Sequence, residues 1–228
     1  MKLRPLLIVG GAIVLAMLAL AAWAWPQIPA DARIPIHWGP SGEPDGYGDK
    51  WLGLLGLPLV GVGLLGLLAV LPRIEPRRAN LQRSGTAYVA IAIAAMGLLG
   101  GLHAFAVLAA LGSEANIGPV VAIGAGALLV VIGNYLGKTR SNWFFGIRTP
   151  WTLASDRSWS RTHRLGGQLF VALGLLTLAV TVLLDPMIAT WVMLGGLALA
   201  VAWLVAYSYM AWRDDPNREA GGAEEASR

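Results

Sequence analysis

The chain has no cysteine among its 228 residues. Disulfides, thiolate nucleophiles and cysteine-held metal or iron–sulfur sites are excluded, and nothing about redox compartment follows. Charge is scarce too. Only 13% of residues are Asp, Glu, Lys or Arg, against about 25% in a soluble domain. Apolar residues reach 56% and mean hydropathy is +0.62. That balance argues against disorder and against an ordinary soluble globule, and points to an integral membrane protein. Enzyme signatures are missing as well. There is no Gly-x-Ser-x-Gly elbow, no His-Glu-x-x-His and no Gly-x-x-x-x-Gly-Lys-Ser/Thr loop. The three histidines, His37, His103 and His163, are too far apart along the predicted spans for two to share a site. No enzyme activity, catalytic residue, metal or cofactor is therefore expected.

What is present is a set of long apolar runs. A spanning helix needs about 20 mostly apolar residues. Six segments qualify: Pro5–Trp25, Trp51–Leu71, Ala87–Leu111, Ile117–Gly137, Gly166–Leu184 and Met187–Ala211. None contains Lys, Arg, Asp or Glu. With six spans, 15 of the 17 basic residues fall on one side and two, Arg33 and Lys50, on the other. Cationic loops stay in the cytoplasm, so both termini are expected inside. The net charge of +4 then reflects topology, and no direct nucleic-acid binding is expected. Ala22-Trp23-Ala24 resembles a signal-peptide cleavage site, but the apolar stretch before it is longer than a usual signal core, so the first span is expected to be retained. Trp23, Trp25, Trp51, Trp191 and Trp212 sit at span ends as an interfacial belt. Glycines crowd spans two and four, and Gly133 with Gly137 forms a small-xxx-small pair suited to close helix packing. No internal repeat is visible.

Two loops are richer than connections require. The outside loop runs through Ile34-Pro35-Ile36-His37-Trp38-Gly39 and Gly42-Glu43-Pro44-Asp45-Gly46-Tyr47-Gly48-Asp49-Lys50. The first piece reads as extended, and Pro44-Asp45-Gly46 reads as a turn. An ordered loop follows, with His37, Trp38, Gly42, Glu43, Asp45, Gly46 and Lys50 as candidate contacts for an external cationic or amphipathic ligand. His37 with Glu43 or Asp45 is a weaker metal alternative, since the spacing matches no metal signature. The inside loop carries Asn134, Lys138, Arg140, Asn142, Gly146, Arg148, Pro150, Trp151, Thr152, Trp159 and His163. Its segment Ser155–Arg164 reads as a short cytoplasmic amphipathic helix. Arg157, Arg161 and Arg164 share one face, and Trp159 and His163 the other. Within the spans, His103 stands out. A neutral histidine bonded to a neighbouring helix is the expected state, with Thr177 and Thr181 as candidate partners.

Together these loops resemble the SdpI family. The resemblance rests on Gly133-Asn134, Lys138-x-Arg140-x-Asn142, Gly146-Ile147-Arg148-Thr149-Pro150-Trp151-Thr152-Leu153, and the downstream Trp159 and Thr162-His163-Arg164. The outside His37-Trp38 … Gly42-Glu43-Pro44-Asp45-Gly46-Tyr47 run resembles a domain of unknown function that precedes the SdpI region in many members. The resemblance implies an all-α bundle of six transmembrane helices in the bacterial cytoplasmic membrane. It divides the chain into residues 1–86, a two-span unit with outside loop 26–50; residues 87–212, an SdpI-like four-span region with motif loop 138–165; and residues 213–228, a disordered tail. The family's founding member confers immunity to a secreted toxin peptide and holds a cytoplasmic transcription regulator at the membrane. Membrane lipid, an extracellular toxin peptide and a cytoplasmic regulator are the partners this implies. A small transporter or channel using His103 and a membrane-embedded metal-dependent hydrolase using His37 and Glu43 remain as alternatives.

Overall fold

A computed structural model describes residues 1–39 and 41–217. The described chain is built on six long helices: α1 (Arg4–Ala24), α2 (Lys50–Ile74), α4 (Gly85–Ala110), α5 (Gly118–Leu136), α7 (Asp156–Leu183) and α8 (Pro186–Arg213). All six are long and apolar enough to cross a membrane, matching the six predicted runs. Short helices α3 (Arg78–Arg83) and α6 (Pro150–Ala154) lie in the connections. Local chemistry sets the starts. Asp49 caps α2 by accepting from the Leu52 N–H at 2.8 Å. Asp185 caps α8 by accepting from Met187 N–H at 2.8 Å. Prolines occupy the first turn of α1, α5 and α8, where a missing N–H costs nothing.

Helices α1, α2 and α4 pack together, and α5, α7 and α8 form a second group, joined to the first mainly through α4 and α5. The interior is rich in small residues, including Ala21, Ala92, Ala106, Ala122 and Ala189. Large apolar side chains such as Leu15, Leu59, Val182 and Leu199 point outward. Inversion of this kind suits lipid as solvent, where close backbone approach takes over from hydrophobic burial. Span four's glycines serve that purpose. Span two's do so only in part, because nothing lies within 4 Å of a Cβ built on Gly63 or Gly66.

A hairpin projects between α1 and α2. Strands β1 (Ile34–Trp38) and β2 (Pro44–Gly48) pair antiparallel. Ile34 is buried with Ala21, Ala24, Ile28, Leu54 and Val107, and Gly53 gives it room, since a Cβ there would sit 2.5 Å from Ile34 Cγ2. The extended reading of residues 34–38 holds, but the turn is displaced. Pro44-Asp45-Gly46 lies within β2, and the chain reverses between Gly39 and Glu43, where Gly42 adopts φ +79°. Gly46 instead lets the strands close, because a Cβ on it would meet His37 Cβ at 2.9 Å.

The segment Ser155–Arg164 is no separate interfacial helix. Ser155 is extended (φ −145°, ψ 122°) and caps Ser158 N–H at 3.0 Å. The helix it starts runs unbroken into the span. Its polarity is as expected, with Arg157, Arg161 and Arg164 exposed and Trp159 and His163 buried. The expected disordered tail is also corrected at its start. Asp215 is buried and accepts from the Ser155 hydroxyl and, at 3.0 Å, from Asn217 N–H. The rest of that tail, residues 218–228, lies outside the described residues.

Candidate functional site

Inter-loop bonds sort the connections onto two faces. On one, Asn116 from the α4–α5 turn donates to Ser41 O of the hairpin at 2.9 Å. Asp185 and Pro186 border the same hollow as Ser41 and Asn116. This hairpin face carries six carboxylates, Asp31, Glu43, Asp45, Asp49, Glu114 and Asp185, against Arg33 and Lys50. The hairpin is fixed to the bundle. Trp38 packs edge-on against Phe105 of α4, with centroids 5.8 Å apart. A side chain on Gly42 would lie 2.0 Å from Asn116 Oδ1. His37 Nδ1 and Asp45 Oδ1 are 2.5 Å apart across the strands, both exposed. Glu43 is exposed as well. Lys50 turns inward. Its ammonium donates to Ile28 O at 2.6 Å and lies 4.7 Å from the Trp25 ring centre. Among the described residues no three His, Asp or Glu side chains converge as a metal site.

The opposite face is basic and holds a folded cap made from residues 138–155 and the α2–α4 connection. Asn142 organises it. Its amide donates to Arg140 O at 2.9 Å, and its carbonyl accepts from Phe144 and Phe145 N–H at 3.0 and 2.9 Å. Gly146 follows at φ +115°. There the chain passes so close to the His163 ring that a Cβ would sit 2.5 Å from Nε2. His163 Nε2 accepts from Ile147 N–H at 2.9 Å, so its proton is on Nδ1, which donates to Trp159 O at 2.9 Å. The ring stacks on Trp159 with centroids 3.9 Å apart. Trp159 donates from Nε1 to Thr139 O at 3.1 Å. Thr149 and Thr152 form a capping box that starts α6. Thr149 also meets the Ser208 hydroxyl of α8 at 2.9 Å.

The sequence-predicted motif thus divides. Asn142, Thr152, Trp159 and His163 are buried within the cap. Asn134, Lys138, Arg140, Arg148 and Pro150 are exposed, and Trp151 is half-buried against Tyr209 of α8. One organising residue escaped the sequence reading. Glu75 is fully buried and accepts from Arg77 N–H at 2.8 Å and Trp143 N–H at 3.1 Å. Arg77 reaches Ser141 and, at 3.1 Å, Leu153 O. The available signal was isolation, because Glu75 is the sole carboxylate in a loop holding Arg73, Arg77, Arg78 and Arg83.

His103 is buried in α4, and its Nε2 donates to Met17 O of α1 at 3.0 Å. Thr177 and Thr181 are not its partners. Their hydroxyls donate to Leu173 O and Thr177 O of their own helix, the local back-bonding open to Thr in a helix.

Asp215 ties the end of α8 to the start of α7. The Ser155 hydroxyl that it accepts from holds its carboxyl below the ordinary 3.8, helped by Asn217 N–H and the Arg157 charge against the opposing cost of burial. A lowered folded pKa means the tie stabilises the protein above the unfolded value and is lost as pH falls through the folded one. Melting temperatures in detergent should show Asp215→Asn less stable than the parent at pH 7, with the gap closing below about pH 4. A gap independent of pH would separate the tie from the carboxylate's ionisation.

Six apolar spans, with a hairpin on one face and a motif cap on the other, define a multi-pass membrane protein. Residues 138–208 match the SdpI/YfhL protein family, and residues 12–62 match a domain of unknown function, DUF1648. The chain is therefore SdpI-like, with a DUF1648 region. It is 30% identical over 103 residues to the Immunity protein SdpI of Bacillus subtilis (strain 168), covering 45% of this chain and 50% of that one. The chain thus spans about half the length of the curated relative it matches. No solved structure matches.

Proposed function

We propose that the chain is an SdpI-like membrane immunity protein that gives resistance to a secreted, cationic membrane-active peptide. The observation that carries this is the likeness to an immunity protein. The geometry supplies the contact surface. The basic face is cytoplasmic by the charge rule, which sets the hairpin outside. There a rigid, acidic platform meets whatever approaches the membrane, and opposite charge speeds and orients such encounters. His37, Glu43 and Asp45 are the side chains presented. The cap, with Arg157, Arg161 and Arg164 exposed beside it, is the surface for an acidic cytoplasmic regulator.

The test is a killing assay in a sensitive bacterium that expresses the chain. Glu43→Lys reverses charge at an exposed side chain and should lower the tolerated concentration of a cationic peptide about tenfold, at unchanged membrane content. Replacing Arg157, Arg161 and Arg164 by Ala should leave protection intact and abolish co-purification of the regulator. Protection untouched by Glu43→Lys would sink the hairpin's role. Protection absent from the parent chain would sink the immunity reading itself.

A further inference from the structure

A groove of about 480 Å³ lies between the start of α1 and one side of α4, on the basic face. One wall is Gln82 at the end of α3 with Gly85, Thr86, Val89, Ala90 and Ile93 of α4, the α4 residues falling at three- and four-residue steps on one helix face. Met1, Lys2 and Pro5 form the other. Gly85 lets the chain start fold over α4, because Met1 Cγ lies 2.8 Å from where a Cβ would be.

The groove changes character with depth. Lys2, Gln82 and Thr86 are polar and exposed at its mouth. Val89, Ala90 and Ile93 make an apolar floor. Thr86 to Ile93 is about 10 Å along the helix axis. A headgroup layer is about 5–8 Å thick per leaflet, so the groove begins among headgroups and ends in hydrocarbon. A water-filled apolar floor at that depth is unfavourable, and a protein side chain does not occupy it. The mouth is cationic: exposed Arg4 and Arg83 flank Lys2 and Gln82 in the chain, and the nearest carboxylate in the loop, Glu75, is buried on Trp143.

We infer that this groove binds one anionic glycerophospholipid, with its headgroup at Lys2, Gln82 and Thr86 and an acyl chain along Val89, Ala90 and Ile93. Basic pockets between spanning helices recognise anionic headgroups in this way. The inference is independent of the immunity reading.

The test is native mass spectrometry of the full chain from micelles holding equal phosphatidylglycerol and phosphatidylethanolamine. The parent should retain one phosphatidylglycerol in preference. Lys2→Gln, at the exposed start of the chain, should cut that preference about fivefold, the effect of one basic residue. Ala90→Phe fills the floor and should abolish retention of either lipid. Equal retention by the parent, a preference unchanged in Lys2→Gln, or retention unchanged in folded Ala90→Phe would each overturn the site. If Ala90→Phe fails to fold, Lys2→Gln decides.

Discussion

Replacing Gly133 by Val should unfold the α5–α7 pair, whereas the same change at Gly66 should leave melting nearly unchanged. A Cβ on Gly133 would lie 2.6 Å from Gly167 O and 2.7 Å from Val171 N. Gly167 returns the contact, 2.7 Å from Gly133 O. Seven residues away along each helix the pattern repeats, with a Cβ on Gly174 2.6 Å from Gly126 O and one on Gly126 3.2 Å from Gly174 O. Two reciprocal glycine pairs therefore clamp antiparallel backbones at heptad spacing. The obstructing atoms are main chain, so no rotamer change relieves the clash. The helices must separate, at a cost of about 3 kcal/mol or more. Around Gly66 there is open space, and both substitutions change hydropathy equally. Thermal melts of the two variants in one detergent separate packing from composition. Equal melting of the two would remove the clamp.

That clamp shows where sequence reading stops. Span number, approximate ends and the extended hairpin segment follow from composition and local residue preferences, which act within a few residues. The sequence marks Gly133 as a packing residue, but with Gly137 in a same-helix pair. The real partners, Gly167 and Gly174, depend on register between two helices, which no single segment encodes. Gly137 itself has only ordinary contact, 3.4 Å from Arg164 Cα. Loop chemistry was legible to the same degree. In sequence Gly42 reads as a loop contact, Gly46 as part of a turn and Gly146 as a motif member. That Gly46 admits His37, and Gly146 admits His163, is a matter of what lies opposite. Glu75 is hidden from the sequence for the same reason, since its bond to Trp143 joins positions 68 residues apart. The hydropathy of Ser155–Arg164 suggested a helix lying on the membrane surface. Its Trp159 and His163 side instead meets Thr139, Gly146 and Ile147, so it stands as the first turns of a span.

The cap should collapse when His163 is replaced by Leu, and hardly respond when Arg148 is replaced by Ala. His163 fixes two ends of the motif at once. Its unprotonated Nε2 is the acceptor for Ile147 N–H, and its Nδ1–H holds Trp159 O. Leucine fills similar space but accepts nothing. Ile147 N–H then loses its partner in a part-buried setting, which costs about 1–3 kcal/mol. The stacked ring adds about 0.5–1.5 kcal/mol. A loss of about 3 kcal/mol is expected, with Trp143–Pro150 becoming a site of early proteolysis. Arg148 is exposed and donates to Trp143 O at 2.5 Å, a bond that water replaces readily, so its truncation should cost under about 1 kcal/mol. The contrast divides the motif by role. Residues that set the cap's shape act on stability, and their loss removes any recognition indirectly. Residues on its rim, Arg148 with Arg157, Arg161 and Arg164, are where the proposed partner capture would change while the fold persists. Limited proteolysis beside a melt of each variant distinguishes the two groups, and His163→Leu melting like the parent would show the motif to be surface rather than framework.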